Sequence, residues 1–339
     1  MRSGFGWVAA SVLWLVAGLS TAASFAQDVG DASPATTLDA VLVTGEQPGP
    51  GLWRVVKSTP DGDHVLWILG SLRPLPKKLK WHSEEVEAAI AQSQELLLAS
   101  SVRADIGFFR SLTLLPSLIG VRNNPDGAKL RDVVPPDLYA RWLVLKHKYL
   151  GDDRSVEKWR PIFAARELYV KAIEAIGLET SEQVVPVVEK LAKKSDLAVV
   201  TPRITLEIDK PRAAIKEFKK TPISDVKCLA RTIERLETDL DLMRARAIAW
   251  SVGDVKALRA MKHVDQIGAC LSAVMDTQIV QERGYGDMPE RMADLWVTAA
   301  EAALARNKST FAVLSIDEIF KSDGYLAKLR AQGYSVREP

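Results

Sequence analysis

Apolar positions come in short blocks near both ends of the chain and recur at three- and four-residue intervals through its middle. Leu52 to Val56 alternates as a strand does. Pro60-Asp61-Gly62-Asp63 reads as a turn, and Val65 to Leu69 supplies the returning strand of a hairpin. That strand stops at the small pair Gly70–Ser71, with Arg73 two residues beyond. Ser83 is placed to cap a helix with Glu84 and Glu85 in its first turn and Val86, Ala89 and Ile90 on its apolar face. Leu96-Leu97-Leu98 follows as a buried strand. Strand, helix, strand predicts a parallel βαβ unit.

Helical periodicity then takes over. It predicts helices over Phe108 to Leu118, Pro136 to Tyr149, Pro161 to Ile176 and Ser181 to Lys194, with a strand at Leu197 to Val200. The longest helix is expected from Asp225 to Ser251, because Ile233, Leu236, Leu240, Met243, Ala247 and Trp250 make one stripe. Gly253 ends it and Asp254 caps the next short helix. Glu290 to Arg306 carries Leu295, Ala299 and Ala303 on one face. Phe311 to Leu314 is a strand that stops at Ser315, followed by Ile316, Asp317 and Glu318. A helix from Asp323 to Gln332, a Gly333 cap and a strand at Tyr334 to Val336 close the chain. The pattern holds no tandem repeat. The fold class it predicts is α/β: a central mixed β-sheet flanked by helices, with a largely helical middle insertion. Ligands of open α/β sheets usually bind outside the strand ends, so Gly70–Ser71 and Ser315 mark two candidate edges.

Composition narrows the function classes. The chain has 339 residues, 47% of them hydrophobic, enough for a sizeable core. Its 45 basic residues are nearly balanced by 43 acidic ones, so no concentrated charge argues for nucleic acid. Residues 1–26 read as a secretion signal: Arg2, an apolar run from Phe5 to Leu19, then Ser24-Phe25-Ala26 as a cleavage site. Cleavage after Ala26 would leave Gln27 as the first residue of a periplasmic or secreted protein, with no later segment apolar enough to span a bilayer. Residues 27–50 read as a flexible leader and 51–339 as the folded domain. In an oxidising compartment Cys228 and Cys270 are expected to pair, the alternative being two buried free thiols.

The candidate chemistry is thin. Ser71 and Ser315 lack the surroundings of a nucleophile and read as small residues at turns. Asp317 and Glu318 are adjacent, and along an extended segment they would point to opposite faces. His64, His82, His147 and His263 share no chelating spacing and read as scattered surface residues. Lys77, Lys78 and Lys80 after Arg73 read as a solvated run.

Several segments together resemble the TraB/GumN family, which includes the Tiki metalloproteases. They are Leu52-Trp53-Arg54-Val55, Leu69-Gly70-Ser71-Leu72-Arg73, Trp250-Ser251-Val252-Gly253-Asp254, Glu290-Arg291, and Gly324-Tyr325-Leu326 with Gly333-Tyr334-Ser335-Val336. The resemblance implies a divalent metal site built from a Gly-x-x-His at each of two strand ends and a nearby Glu. Here Arg73 stands at the first His position and Glu318 at the second. Leu98-Ala99-Ser100 lacks the expected acid, and Met292 replaces an Asn. A guanidinium is a permanent cation and repels a metal ion. The expectation is therefore a catalytically inactive member with no catalytic residue assigned and no metal or other cofactor. Its cleft would be kept for binding or envelope-associated assembly, with Gly70, Ser71, Arg73, Arg291, Ser315, Asp317 and Glu318 as cleft residues. Arg73 is expected to pair with Glu318 across the vacated position. The alternatives are a hydrolase or peptidase rebuilt around Glu318 and Arg73, and a structural partner of another exported protein. The expected partner is an exported protein, a peptide or a polysaccharide-related ligand.

Overall fold

In the computed structural model, which describes residues 49–339 apart from 82, 106, 107, 209, 222 and 263, the expected hairpin comes first. β1 (Leu52–Thr59) pairs antiparallel with β2 (Gly62–Ser71). The turn closes at Gly62, whose φ of 104° suits a residue without Cβ. β3 (Leu75–Pro76) precedes α1 (Glu84–Ala91), where the Ser83 hydroxyl accepts from the Val86 N–H at 3.4 Å. β4 (Glu95–Leu97) and β5 (Ser101–Asp105) follow. The secretion signal at 1–26, nearly all of the leader at 27–50, and His82 and His263 lie outside the described residues.

The helical middle contains α2 (Phe108–Leu118), α3 (Leu130–Val133), α4 (Pro136–Leu150) and α5 (Pro161–Ala175). β6 (Leu178–Glu179) pairs with β3 as a small antiparallel ribbon. α6 (Val184–Lys194) starts later than Ser181, because the Glu182 carboxylate takes the Val184 and Val185 N–H groups at 3.0 and 3.3 Å. β7 (Ala198–Val200) and β8 (Arg203–Glu207) come next, and β8 pairs in parallel with β5. β5 and β8 form a separate two-stranded parallel ribbon; the alternation of Ile204 and Leu206 along β8 was a signal that the sequence reading passed over.

α7 (Pro211–Lys220) leads to α8 (Val226–Thr238) and α9 (Leu240–Ser251), which replace the single long helix expected from Asp225 to Ser251. Asp239 breaks it, with φ −111° and ψ 5°, while its carboxylate accepts the distant Val264 N–H at 2.8 Å. α10 (Val255–Ala260), α11 (Gln266–Met275) and α12 (Gln278–Glu282) are short. α13 (Met288–Arg306) is the longest helix among the described residues. Its core face is Trp296, Val297, Ala300, Ala303 and Leu304, whereas the expected Leu295 and Ala299 are half-buried. β9 (Ser309–Ser315), α14 (Ile316–Phe320), α15 (Tyr325–Ala331) and β10 (Ser335–Arg337) complete the chain.

Among the described residues six strands form the main sheet, in the order β10-β1-β2-β9-β4-β7. The first pairings are antiparallel, and β2, β9, β4 and β7 run parallel. β2 and β4 are indeed parallel, but β9 enters between them, so the predicted βαβ unit is not made of neighbours. The class is α/β, as the pattern implied.

Apolar burial divides into two main clusters. One joins the sheet to α1, α6, α13, α14 and α15 and includes Ala247 and Trp250 of α9. The other is purely helical, built from α3, α4, α5, α8 and α11 around Trp142, Leu168 and Ile233. The predicted stripe is thus shared: Ile233 and Leu236 belong to the helical core, while Ala247 and Trp250 belong to the sheet. A disulfide between Cys228 and Cys270 ties α8 to α11.

Candidate functional site

The two candidate edges are one. β2 and β9 are neighbours in register, with Gly70 opposite Leu314 and Ser71 opposite Ser315. Gly70 is buried, and a Cβ there would stand 3.2 Å from both Ile316 and the Trp53 ring. The Gly70 carbonyl accepts the Trp250 indole N–H at 2.5 Å, and the Trp250 ring packs on Trp81 at 5.5 Å. This bond docks the end of α9 against the end of β2. Gly253 then takes a φ of 72° where an added Cβ would lie 2.8 Å from the Gly49 carbonyl. Asp254 caps α10 by accepting the Ala257 N–H at 2.8 Å. The Trp-x-x-Gly-Asp segment is therefore the joint between helix and strand end.

Beyond that joint lies a cavity of about 520 Å³. Ser315, Asp317 and Glu318 border it from the sheet side, and Arg235, Arg246 and Arg259 from α8, α9 and α10. Arg246 is almost fully buried. It donates to the Leu258 and Met261 carbonyls at 3.4 and 3.2 Å and to Asp317 at 2.7 Å. Tyr169 of α5 is half-buried beneath, with the Arg235 guanidinium 5.7 Å from its ring centroid. Burial pushes the Tyr169 phenol above its usual range. Arg235 opposes that shift, Asp317 adds to it, and Arg73 opposes it. The phenol therefore stays neutral and keeps its O–H to donate. A slightly larger cavity of about 580 Å³, lined by Lys227, Arg231 and Glu234 among others, contains none of the candidate residues.

The expected Arg73–Glu318 pair is not formed. Arg73 lies 3.5 Å from Glu182 and is more than half exposed, while Glu318 takes Lys321 at 2.6 Å. Each has a nearer partner, and Arg73 does not line the cavity, nor do the expected cleft residues Gly70 and Ser71. Asp317 and Glu318 lie on α14, one short helix directly after β9, not on an extended segment, so both border the cavity. Arg291 is on the exposed side of α13, 3.8 Å from Asp287, and does not line the cavity. His64 is not a surface residue either: it lies within β2, buried, with Nδ1 2.7 Å from the Leu304 carbonyl.

Arg235 and Arg246 are the site residues that sequence reading missed. A signal existed for the second: Arg246 stands four residues before Trp250 and so shares its helix face. Nothing local ties either arginine to Asp317, which lies 71 positions from Arg246.

These side chains do not fit the divalent metal that the family resemblance implies. A transition metal needs several imidazole or carboxylate donors within about 2.3 Å. The first His position carries the cation Arg73, and the two carboxylates at the second edge are neutralised by Arg246 and Lys321. Among the described residues no three His, Cys, Asp or Glu side chains group closely enough to hold a metal.

The fold places the chain in a class of α/β proteins with a strand-end cleft roofed by helices. Residues 51–338 match the TraB/PrgY/GumN family, and the chain belongs to that family. Comparison with curated proteins and with solved structures found no match.

Proposed function

We propose that this chain is an exported, metal-independent member of the TraB/PrgY/GumN family that keeps the strand-end cleft as a ligand-binding site in the cell envelope. One observation carries the reading: both positions where the family resemblance calls for imidazoles hold charged side chains already in ion pairs, Arg73 with Glu182 and Glu318 with Lys321. A guanidinium beside a metal ion opposes it electrostatically and has no lone pair to offer it. The N-terminal secretion signal supports export, and the Cys228–Cys270 disulfide suits an oxidising compartment.

The test is elemental. The purified chain, stripped with a chelator, is dialysed against Mn²⁺, Co²⁺ or Zn²⁺ and then against buffer. Bound metal is expected to stay far below one equivalent. One tightly held equivalent, lost on Asp317→Asn or Glu318→Gln, would restore a rebuilt hydrolase as the better reading.

A further inference from the structure

Among the described residues Arg235 forms no ion pair. It is 3% exposed, and its Nε is buried with no hydrogen-bond partner. Its guanidinium lies over the Tyr169 ring, 5.7 Å from the centroid. Burying a cation without an anion is costly, and the cost persists only where something offsets it. Most of the other charges around the cavity have partners, the exposed Lys262 being the exception among the cations. Arg246 is held by Asp317, Arg259 by Glu338 at 2.8 Å, and Lys321 by Glu318. Asp265 spends one carboxylate oxygen on the Gly268 N–H at 2.8 Å. Arg235 is thus a buried cation at the wall of a cavity of about 520 Å³, in no ion pair among the described residues.

The rest of the wall says what accompanies the missing anion. Leu258, Met261 and Phe320 line the interior. Ile267 and Leu271 of α11 border the same cavity while 62% and 45% exposed, an apolar lip facing solvent. A planar oxyanion suits the fork of an arginine, and an apolar body suits the lip.

We infer that the cavity binds a carboxylate carried on a compact apolar body, with its oxygens on Arg235 and its hydrocarbon against Ile267 and Leu271. The inference rests on the proposed binding role of the cleft and names its ligand class. The acid of a free alkyl carboxylate and the C-terminal end of a peptide with an apolar last residue share this chemistry. Tyr169 lies outside the lining and supports the Arg235 guanidinium from its ring face.

The experiment is calorimetric titration of the chelator-treated chain with N-acetyl-L-leucine, its amide, hexanoate and inorganic phosphate. N-acetyl-L-leucine is expected to bind and its amide is not, with phosphate at least tenfold weaker. Tighter binding of N-acetyl-L-leucine than of hexanoate points to a peptide end, and equal binding to alkyl acids generally. Arg235→Met should abolish binding while thermal stability holds or rises, since an unpartnered buried cation is removed. If that variant does not fold, Leu271→Glu at the exposed lip should weaken binding at least tenfold by repelling the acid. No binding of either acid, equal binding of the amide, phosphate binding as tightly as the acids, or binding undiminished in the variants overturns the inference. None of those results touches the metal-free reading, which falls only to metal uptake.

Discussion

Arg246 is the residue on which the strand-end geometry turns. Its guanidinium joins two carbonyls near α10 to the first turn after β9, so one side chain holds three segments. The guanidinium is buried while Asp317 reaches solvent, so losing Arg246 removes three charge-assisted hydrogen bonds at once. Arg246→Met should therefore cost about 2 kcal/mol in urea unfolding. A loss under about 1 kcal/mol would mean the pair is no stronger than a surface salt bridge. Much of this scale was legible in the sequence. The hairpin glycine, the caps at Ser83 and Asp254 and the small pair at the end of β2 all act within a few residues of themselves. Arg73–Glu182 and Arg246–Asp317 did not show, because a charge chooses its partner by distance in space, and the sequence offers many acids to each arginine.

At the scale of elements, the joint between α9 and β2 docks the helical middle on the sheet. Trp250 fixes the helix to the Gly70 carbonyl, and Gly253 lets the chain leave the helix beneath the Gly49 carbonyl. Gly253→Ala combines left-handed backbone with a Cβ only 2.8 Å from that oxygen and should cost about 1–3 kcal/mol or more. Gly333→Ala has a φ of 87° but nothing within 4 Å, so it should cost only about 1 kcal/mol. Equal losses in the two variants, measured by chemical unfolding, would contradict the close approach at Gly253. The periodicity that made α8 and α9 read as one helix was real. It missed the break because Asp239 is recruited by a backbone N–H 25 positions away. For the same reason the order of the parallel strands was hidden: β9 enters between β2 and β4 from far along the chain, and no local pattern records a non-local pairing.

Across the whole molecule, the helical core is pinned separately from the sheet core. The Cys228–Cys270 bridge closes a 42-residue interval within that helical core and joins α8, which carries Arg235, to α11, which carries the apolar lip. In the chain-entropy picture such a loop contributes about 4 kcal/mol. The Cys228→Ser, Cys270→Ser double variant should lose stability on that order in chemical unfolding, and an unchanged midpoint would show the bridge to be idle. Under the proposed function, the strand-end edge carries ion-paired side chains in place of metal ligands. Crystals soaked in Mn²⁺ and measured for anomalous scattering test it most directly. The account predicts no peak beside Asp317 and Glu318. A strong peak within about 2.3 Å of either carboxylate, with Arg246 swung away, would contradict it.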